Sequence, residues 1–169
     1  MKSNDFEGMN CPIAKVMSAL NDRWGVLIMR DVLLGLRRYD ELKSSTNITH
    51  ATLSDRLKVL EQNQLIEKRR YQDKPPRYEY WPTPKGLNIG QVILMMLQVG
   101  NQLDQQQQIP TQLIAVEKET LEPIHLLPVE QQSAQILQFD QITIVASPEA
   151  DQQTLWRLAQ AKKHQHAET

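Results

Sequence analysis

Five basic residues fall within ten consecutive positions of this sequence: Lys68, Arg69, Arg70, Lys74 and Arg77. Guanidinium and ammonium groups pair with phosphate oxygens, and a thin ribbon that carries several of them can straddle a nucleic-acid backbone. A charged segment seen alone is usually only solvated. The cluster therefore gains meaning only if other parts of the chain supply matching chemistry.

A second set of hydrogen-bonding side chains lies just before this cluster. Its members stand on one side of a helical pattern and are His50, Thr52, Ser54, Asp55 and Lys58. Such groups reach base edges and nearby backbone in the major groove of duplex DNA. Arg56 lies at the edge of this face and is predicted to meet phosphate, with an internal pair to Asp55 or Glu61 as the alternative. Arg37 and Arg38 are predicted phosphate contacts as well.

The single cysteine, Cys11, excludes an internal disulfide and a cluster of metal-binding thiols. Two interpretations of it stay open, a small buried apolar side chain and a redox-responsive thiol.

The sequence has no glycine-rich phosphate loop, no HExxH motif and no carboxylate pair that can be assigned to one pocket. We therefore expect no enzyme activity, no cofactor and no bound metal.

Composition sets the size and class of the molecule. With 169 residues, 40% of them hydrophobic, the chain can form one domain of about 100 residues plus an appendage. Residues 1–100 hold 15 basic and 11 acidic residues, whereas residues 101–169 hold 4 and 9, which suits a molecule that meets phosphate with its first part. No apolar run of about 18 residues occurs, and the N-terminus lacks the apolar core of a signal peptide, so we expect a cytoplasmic protein without membrane contact.

Four helices are predicted before residue 64, at 11–21, 24–34, 39–44 and 50–63, from apolar residues at helical spacing. Gly35 is expected to end the second helix, and Thr49 to cap the fourth. Strands at 65–71 and 78–81 then flank a turn that contains Pro75-Pro76. Thr83 and Pro84 open a long fifth helix that runs to residue 103, with more apolar surface than one chain needs to bury.

The remaining part predicts a different structure. Short apolar runs at 113–116, 124–127, 136–139 and 142–145 are typical of strands, and a terminal helix is expected to start at Ser147-Pro148. The fold class is thus mainly α with a β-hairpin wing, the winged helix-turn-helix, followed by a small β-rich extension and a terminal helix. The predicted domains are 1–108, for DNA binding and dimerisation, and 109–169, a small α/β extension.

Residues 11–100 resemble the HxlR-type branch of the MarR-like winged-helix regulators. The resemblance is carried by CP at 11–12, RW at 23–24, LIMR at 27–30, RYDEL at 38–42, LSDRLKVLE at 53–61, LI at 65–66, PPRYEY at 75–80 and TPKG at 83–86. The sequence departs from the family pattern at Gln64, where the family tends to have glycine, and at Val99, where it often has tryptophan.

The resemblance implies a homodimer, joined through the first and the long fifth helices, that reads an inverted repeat of duplex DNA, as a repressor in the favoured interpretation. It also implies that Cys11 senses oxidants or electrophiles, and thiolates are indeed favoured near helix N-termini. A small-molecule effector is the other possible signal. The alternative function is a winged-helix module that docks a protein or binds RNA and uses no operator DNA.

Overall fold

All the helices predicted before residue 64 are present in the structure, a computed structural model that describes residues 6 and 9–165 without the side chains of residues 139 and 162–165. They are α1 (Pro12–Leu20), α2 (Arg23–Leu34), α3 (Tyr39–Thr46) and α4 (His50–Gln62). An antiparallel hairpin of β1 (Ile66–Gln72) and β2 (Arg77–Pro82) follows, and then α5 (Pro84–Gln106). This order is the winged helix-turn-helix plan, and the hairpin is the wing.

Side chains and turns predicted from the sequence set the ends of these helices. The Thr49 hydroxyl accepts a hydrogen bond from the Thr52 N–H at 3.2 Å, and that of Thr83 accepts one from the Gly86 N–H at 3.0 Å. Gly35 ends α2 with a φ of 107°, in the left-handed region that glycine reaches without strain. These three predictions are confirmed.

The core lies where α2, α4, the wing and α5 meet. On α4 every inward position is a leucine, and Leu53, Leu57 and Leu60 are each at most 2% exposed. Burying one such side chain contributes about 1.5–3 kcal/mol. The other buried members of this cluster are Leu20, Ile28, Met29, Val32, Leu42, Ile48, Leu65, Ile66, Tyr80 and Ile89. This packing fixes α4 by its inner side and leaves its outer side free.

The described chain divides into two units, residues 6 and 13–126 in one, and 9–12 with 127–165 in the other. The domain boundary predicted after residue 108 stays a prediction. Along the second unit run a 3-10 turn (Phe139–Gln141) and α6 (Gln152–Gln165). In the described residues no helix is long and apolar enough to cross a membrane.

The four strands predicted after residue 109 do not form. In their place the described residues show two isolated bridges, Val116 with Pro123 and Val129 with Ile136. Each bridge closes a tight turn in which a glutamate carboxylate accepts backbone N–H bonds, Glu117 from residues 119 and 120, and Glu130 from residues 132 and 133. The N–H and then the hydroxyl of Thr120 lower the pKa of the Glu117 carboxyl, and the hydroxyl and then the N–H of Ser133 lower that of Glu130. The side chains compete with a strand ladder for the backbone, which explains the error.

The terminal helix also starts later than predicted. It begins at Gln152, and the Asp151 carboxylate accepts a hydrogen bond from the Thr154 N–H at 2.7 Å. Ser147 and Pro148 lie in a turn before it, in which the Ala150 N–H donates to the Ser147 carbonyl. An aspartate caps a helix at least as well as a serine, so the later start has a local cause.

Candidate nucleic-acid interface

The outer face of α4 carries the polar residues that the sequence predicted for base contacts. His50, Ser54, Asp55 and Lys58 are exposed, and Thr52 is half-buried beside the N-cap. Because the leucines opposite are held in the core, these side chains can project together into a groove. The short, polar character of the first turn is what a helix needs to approach base edges closely.

Tyr39, at the start of α3, fixes the first turn of α4, and the sequence reasoning missed it. Its hydroxyl donates to the His50 carbonyl at 3.0 Å and lies 3.2 Å from both His50 Nδ1 and the Ser54 Oγ. The two rings stack with their centroids 5.7 Å apart. Tyr39 thus joins the two helices of the motif through the residues that face a groove. The position of Tyr39 within the RYDEL motif was the signal that could have pointed to it. Its contacts with α4, however, cannot be derived from the spacing of residues along the sequence.

Arg56 is engaged by a partner that the sequence did not indicate. Its Nε donates to the Asp22 carboxylate at 2.8 Å, and neither Asp55 nor Glu61 pairs with it. The same carboxylate caps α2 through the N–H groups of Trp24 and Gly25. The pair therefore ties α4 to the start of α2. The phosphate role of Arg56 stays a prediction, and it would compete with this ion pair.

The wing presents its basic residues on both of its faces. Strand register pairs Lys68 with Tyr80, Arg69 with Glu79 and Arg70 with Tyr78, so side chains alternate from face to face. The Lys68 ammonium lies 4.1 Å from the ring centre of Tyr78. The Arg70 guanidinium pairs with Asp73 at 3.1 Å, close to the hairpin tip.

The ring of Trp81 is in contact with two arginines. The guanidinium of Arg37 lies 4.5 Å from its ring centre and that of Arg69 lies 4.9 Å away. Arg37 also donates to the Val32 carbonyl near the end of α2, and Arg69 pairs with Glu67. This stack, the Trp81 stack hereafter, joins the wing to the turn before α3. Both arginines were predicted to meet phosphate, and the structure gives them internal contacts besides.

Arg38 also links the start of α3 to the wing. Its Nε lies 3.5 Å from the Glu79 carboxylate, and its guanidinium lies 4.8 Å from the ring centre of Tyr71. By contrast, the cationic groups of Lys58, Lys74 and Arg77 are exposed and have no ion pair or hydrogen bond with any described residue. These three charges are therefore the ones most available to phosphate.

Glu41 organises the turn that carries Arg37 and Arg38. Its carboxylate accepts the backbone N–H groups of both arginines at 2.9 Å. The hydrogen bond from Arg38, then that from Arg37, holds the pKa of Glu41 below its usual range. A charged carboxylate at the start of α3 is also favoured by the helix dipole.

Cys11 lies half-buried, immediately before α1 begins at Pro12, and its N–H donates to the Met9 carbonyl. The described residues contain no group of three or more histidine, cysteine and acidic side chains that could hold a metal ion.

The family model described as HxlR-like helix-turn-helix matches residues 19–108, just over half of the chain. The chain belongs to the HxlR-like helix-turn-helix family. The match spans every residue predicted to contact DNA, from Arg37 to Arg77, whereas Cys11 lies outside it.

Proteins similar to this chain support the fold. An HTH-type transcriptional regulator of Synechocystis is 32% identical over 65% of this chain and 82% of its own length. One of Mycobacterium tuberculosis is 31% identical over 59% of this chain, and the match spans 62% of that protein. A transcription factor of Pseudomonas aeruginosa is 32% identical in structure alignment, with a TM-score of 0.61 over 87% of this chain and 99% of its own. The winged helix-turn-helix prediction is confirmed.

Proposed function

We propose that this chain is a sequence-specific DNA-binding transcriptional regulator. The observation that carries the proposal is the polar outer face of α4, held exposed beside a wing with unpaired cationic groups. A helix with such a face fits the major groove, while the wing follows the adjacent backbone. The names of the related proteins, which are transcriptional regulators, support it.

Roles follow from the chemistry of each side chain. His50, Thr52 and Ser54 meet base edges, and Asp55 accepts from a cytosine amino group. Lys58 reaches backbone or a base near the end of the helix. On the wing, Lys74 and Arg77 bind phosphate directly, whereas Arg69 and Arg70 must exchange an internal acidic partner for it.

The acting form in our proposal is a homodimer on an inverted repeat. Two exposed apolar stripes support this, because solvent exposure of so many large apolar side chains is unfavourable for a monomer. On α5 the stripe consists of Val92, Met96, Val99 and Leu103, which recur every three or four residues and are 38–53% exposed. On α1, Ile13 and Met17 are 70% and 53% exposed. We call the α5 set the α5 stripe.

The proposal includes repression in the cytoplasm, by a dimer that excludes polymerase from the promoter. Cys11 is the proposed signal residue, since its position ahead of α1 places a thiol next to a helix that we assign to the dimer interface. A bond to the partner or an oxidised sulfur there would change the spacing of the two α4 helices.

Fluorescence anisotropy tests the proposal, with the protein titrated onto a duplex from the promoter region of its own gene. We expect salt-dependent binding, tighter than on a scrambled duplex. Arg77→Ala should weaken binding to both duplexes and reduce the slope of log affinity against log salt by about one. Repeating the titration after a mild thiol oxidant, beside Cys11→Ser, reports on the signal.

Lys118→Ala is the matched control, since Lys118 is an exposed cation outside the proposed interface. It should leave the salt slope unchanged. Equal affinity for specific and scrambled duplexes would contradict operator recognition and favour the docking or RNA-binding alternative. Oxidant sensitivity that persists in Cys11→Ser would remove Cys11 as the sensor.

A further inference from the structure

The segment after α5 folds back on the helix and is fastened there by side-chain amides. The Gln98 side chain accepts from the Leu126 N–H at 2.8 Å and donates to the Leu126 carbonyl at 3.1 Å. Asn101 donates to the Leu113 carbonyl at 2.8 Å. These bonds satisfy both backbone groups of Leu126, as a neighbouring strand would. Hydrogen bonds from Gln98 and Asn101 therefore hold residues 111–126 next to α5, with a space between them.

This space is a pocket with a volume of about 300 Å³. That is the lower end of the range for small-molecule sites. Its walls are mainly apolar, formed by Leu94 and Leu97 on α5 and by Ile114 and Ile124 on the returning segment.

The polar groups of the pocket are all uncharged amides and hydroxyls apart from one imidazole. Gln102 and Gln105 line it from α5, and Thr111 and His125 line it from the segment. No lysine, arginine, aspartate or glutamate lines it. A charged ligand would lose hydration here without gaining an ion pair to a lysine, arginine or carboxylate, and that loss is costly. An amide can accept a hydroxyl proton and donate to the same oxygen, so a neutral hydroxyl group suits these side chains.

The pocket is separate from the α5 stripe. At 3.6 residues per turn, the pocket residues 94, 98, 101 and 105 fall on the opposite side of α5 from 92, 96, 99 and 103. A second copy seated on the stripe would therefore leave the pocket accessible.

We propose that this pocket binds a small, uncharged, mainly apolar molecule that carries a hydroxyl group. The apolar walls take its hydrocarbon part, and the amides of Gln102 and Gln105 hold the hydroxyl. The binding of this molecule does not depend on the proposed function. Its role as an effector of DNA binding does rest on the proposed function.

Saturation-transfer NMR with 2-naphthol on the full chain tests the site. We expect saturable binding of 2-naphthol and at least tenfold weaker binding of 2-naphthoate, whose shape is similar but whose group is charged. Ala115→Phe places a ring in the pocket and should weaken 2-naphthol binding at least tenfold. Ala115→Ser is the control at the same position, because it adds little volume and should bind normally.

Failure to bind 2-naphthol, equal binding of naphthoate, or unchanged binding in Ala115→Phe would each overturn the proposal. Circular dichroism establishes that both variants are folded, and Gln105→Leu gives a second test, with a loss of at least threefold expected. The DNA titration stands apart from these readouts. If the chain bound no duplex yet bound 2-naphthol as described, the regulator would be refuted and the pocket retained.

Discussion

At the residue scale, one hydroxyl group organises the surface that would read DNA. Tyr39 stands between α3 and α4 and holds both His50 and Ser54 by their polar groups. It is a positioning residue in the proposed function, since it acts through two side chains of α4. Its influence should therefore appear in sequence discrimination more than in overall affinity.

Tyr39→Phe keeps the ring stack on His50 and removes only the hydroxyl. One neutral hydrogen bond is worth about 0.5–1.5 kcal/mol, so we expect a loss of roughly 2- to 12-fold in affinity for the specific duplex. Affinity for a scrambled duplex should hardly change. Anisotropy titrations measure both, and Tyr78→Phe on the wing is the control. Equal losses on the two duplexes would mean that Tyr39 acts on the fold as a whole.

Glu41 predicts a pH dependence of stability. Its pKa is lowered by the N–H groups of Arg38 and Arg37, so it favours the folded state above its unfolded pKa, about 4.3. This contribution is lost as the pH falls through the folded value. Urea unfolding between pH 6 and 3 should show a smaller loss of stability for Glu41→Gln than for the natural chain. An identical pH profile would show that the two hydrogen bonds do not depend on the charge.

At the element scale, the junction between α4 and the wing contains Gln64, where the sequence departs from the family pattern. Gln64 adopts a φ of 58°, and its carbonyl accepts the Thr83 hydroxyl at 2.5 Å. The left-handed region strains any residue with a Cβ and suits glycine, which the family tends to have there. The backbone at Gln64 is therefore strained, just before the wing begins.

Gln64→Gly should stabilise the protein. Relief of about 1–2 kcal/mol of backbone strain exceeds the extra freedom that glycine gives the unfolded chain, about 0.5–1 kcal/mol, so a net gain of about 0.5–1 kcal/mol is expected. Urea unfolding measures it. Gln62→Gly, made two residues earlier at the last residue of α4, should instead destabilise, because glycine there adds freedom to the unfolded chain and relieves no strain. Destabilisation by both changes would contradict the strain argument.

Prediction from sequence succeeded where elements are long and have clear ends. Thr49, Thr83 and Gly35 mark helix ends through local chemistry that needs no partner. After residue 109 the apolar runs are only four residues long, and two glutamates hold the backbone in tight turns. The periodicity of apolar residues alone cannot distinguish a strand of four residues from such a turn. The repeated pattern Val-Glu-x-x-Thr/Ser, at 116–120 and 129–133, was the missed signal.

The outer face of α4 was predictable to the same extent. Helical spacing alone assigns the exposed face of α4, since its leucines must be buried. Arg56 illustrates the limit, because its partner Asp22 is 34 positions away and becomes adjacent only when α4 crosses α2. Tyr39 and the Trp81 stack likewise depend on how elements cross, which spacing does not encode.

At the scale of the whole molecule, the α5 stripe predicts the oligomeric state. Val99→Asp puts a charge at its centre, where the stripe would be buried between two copies, so we expect a monomer at micromolar concentration in sedimentation velocity. Operator affinity should fall by a hundredfold or more, since two half-sites are no longer joined. Gln91→Asp adds the same charge to α5 outside the stripe and should remain a dimer. A dimeric Val99→Asp would remove the stripe from the interface.

The fluorescence of Trp81 can report on the position of the wing, because Trp81 is part of the wing. Indole emission responds to charges lying against the ring, and here two guanidinium groups do so. The sequence has three tryptophans, so a variant with phenylalanine at Trp24 and Trp156 keeps Trp81 as the single fluorophore of its kind. A shift of its spectrum during mixing with a duplex would then record, without any dye, whether the wing remains seated on the turn before α3 or swings free of it.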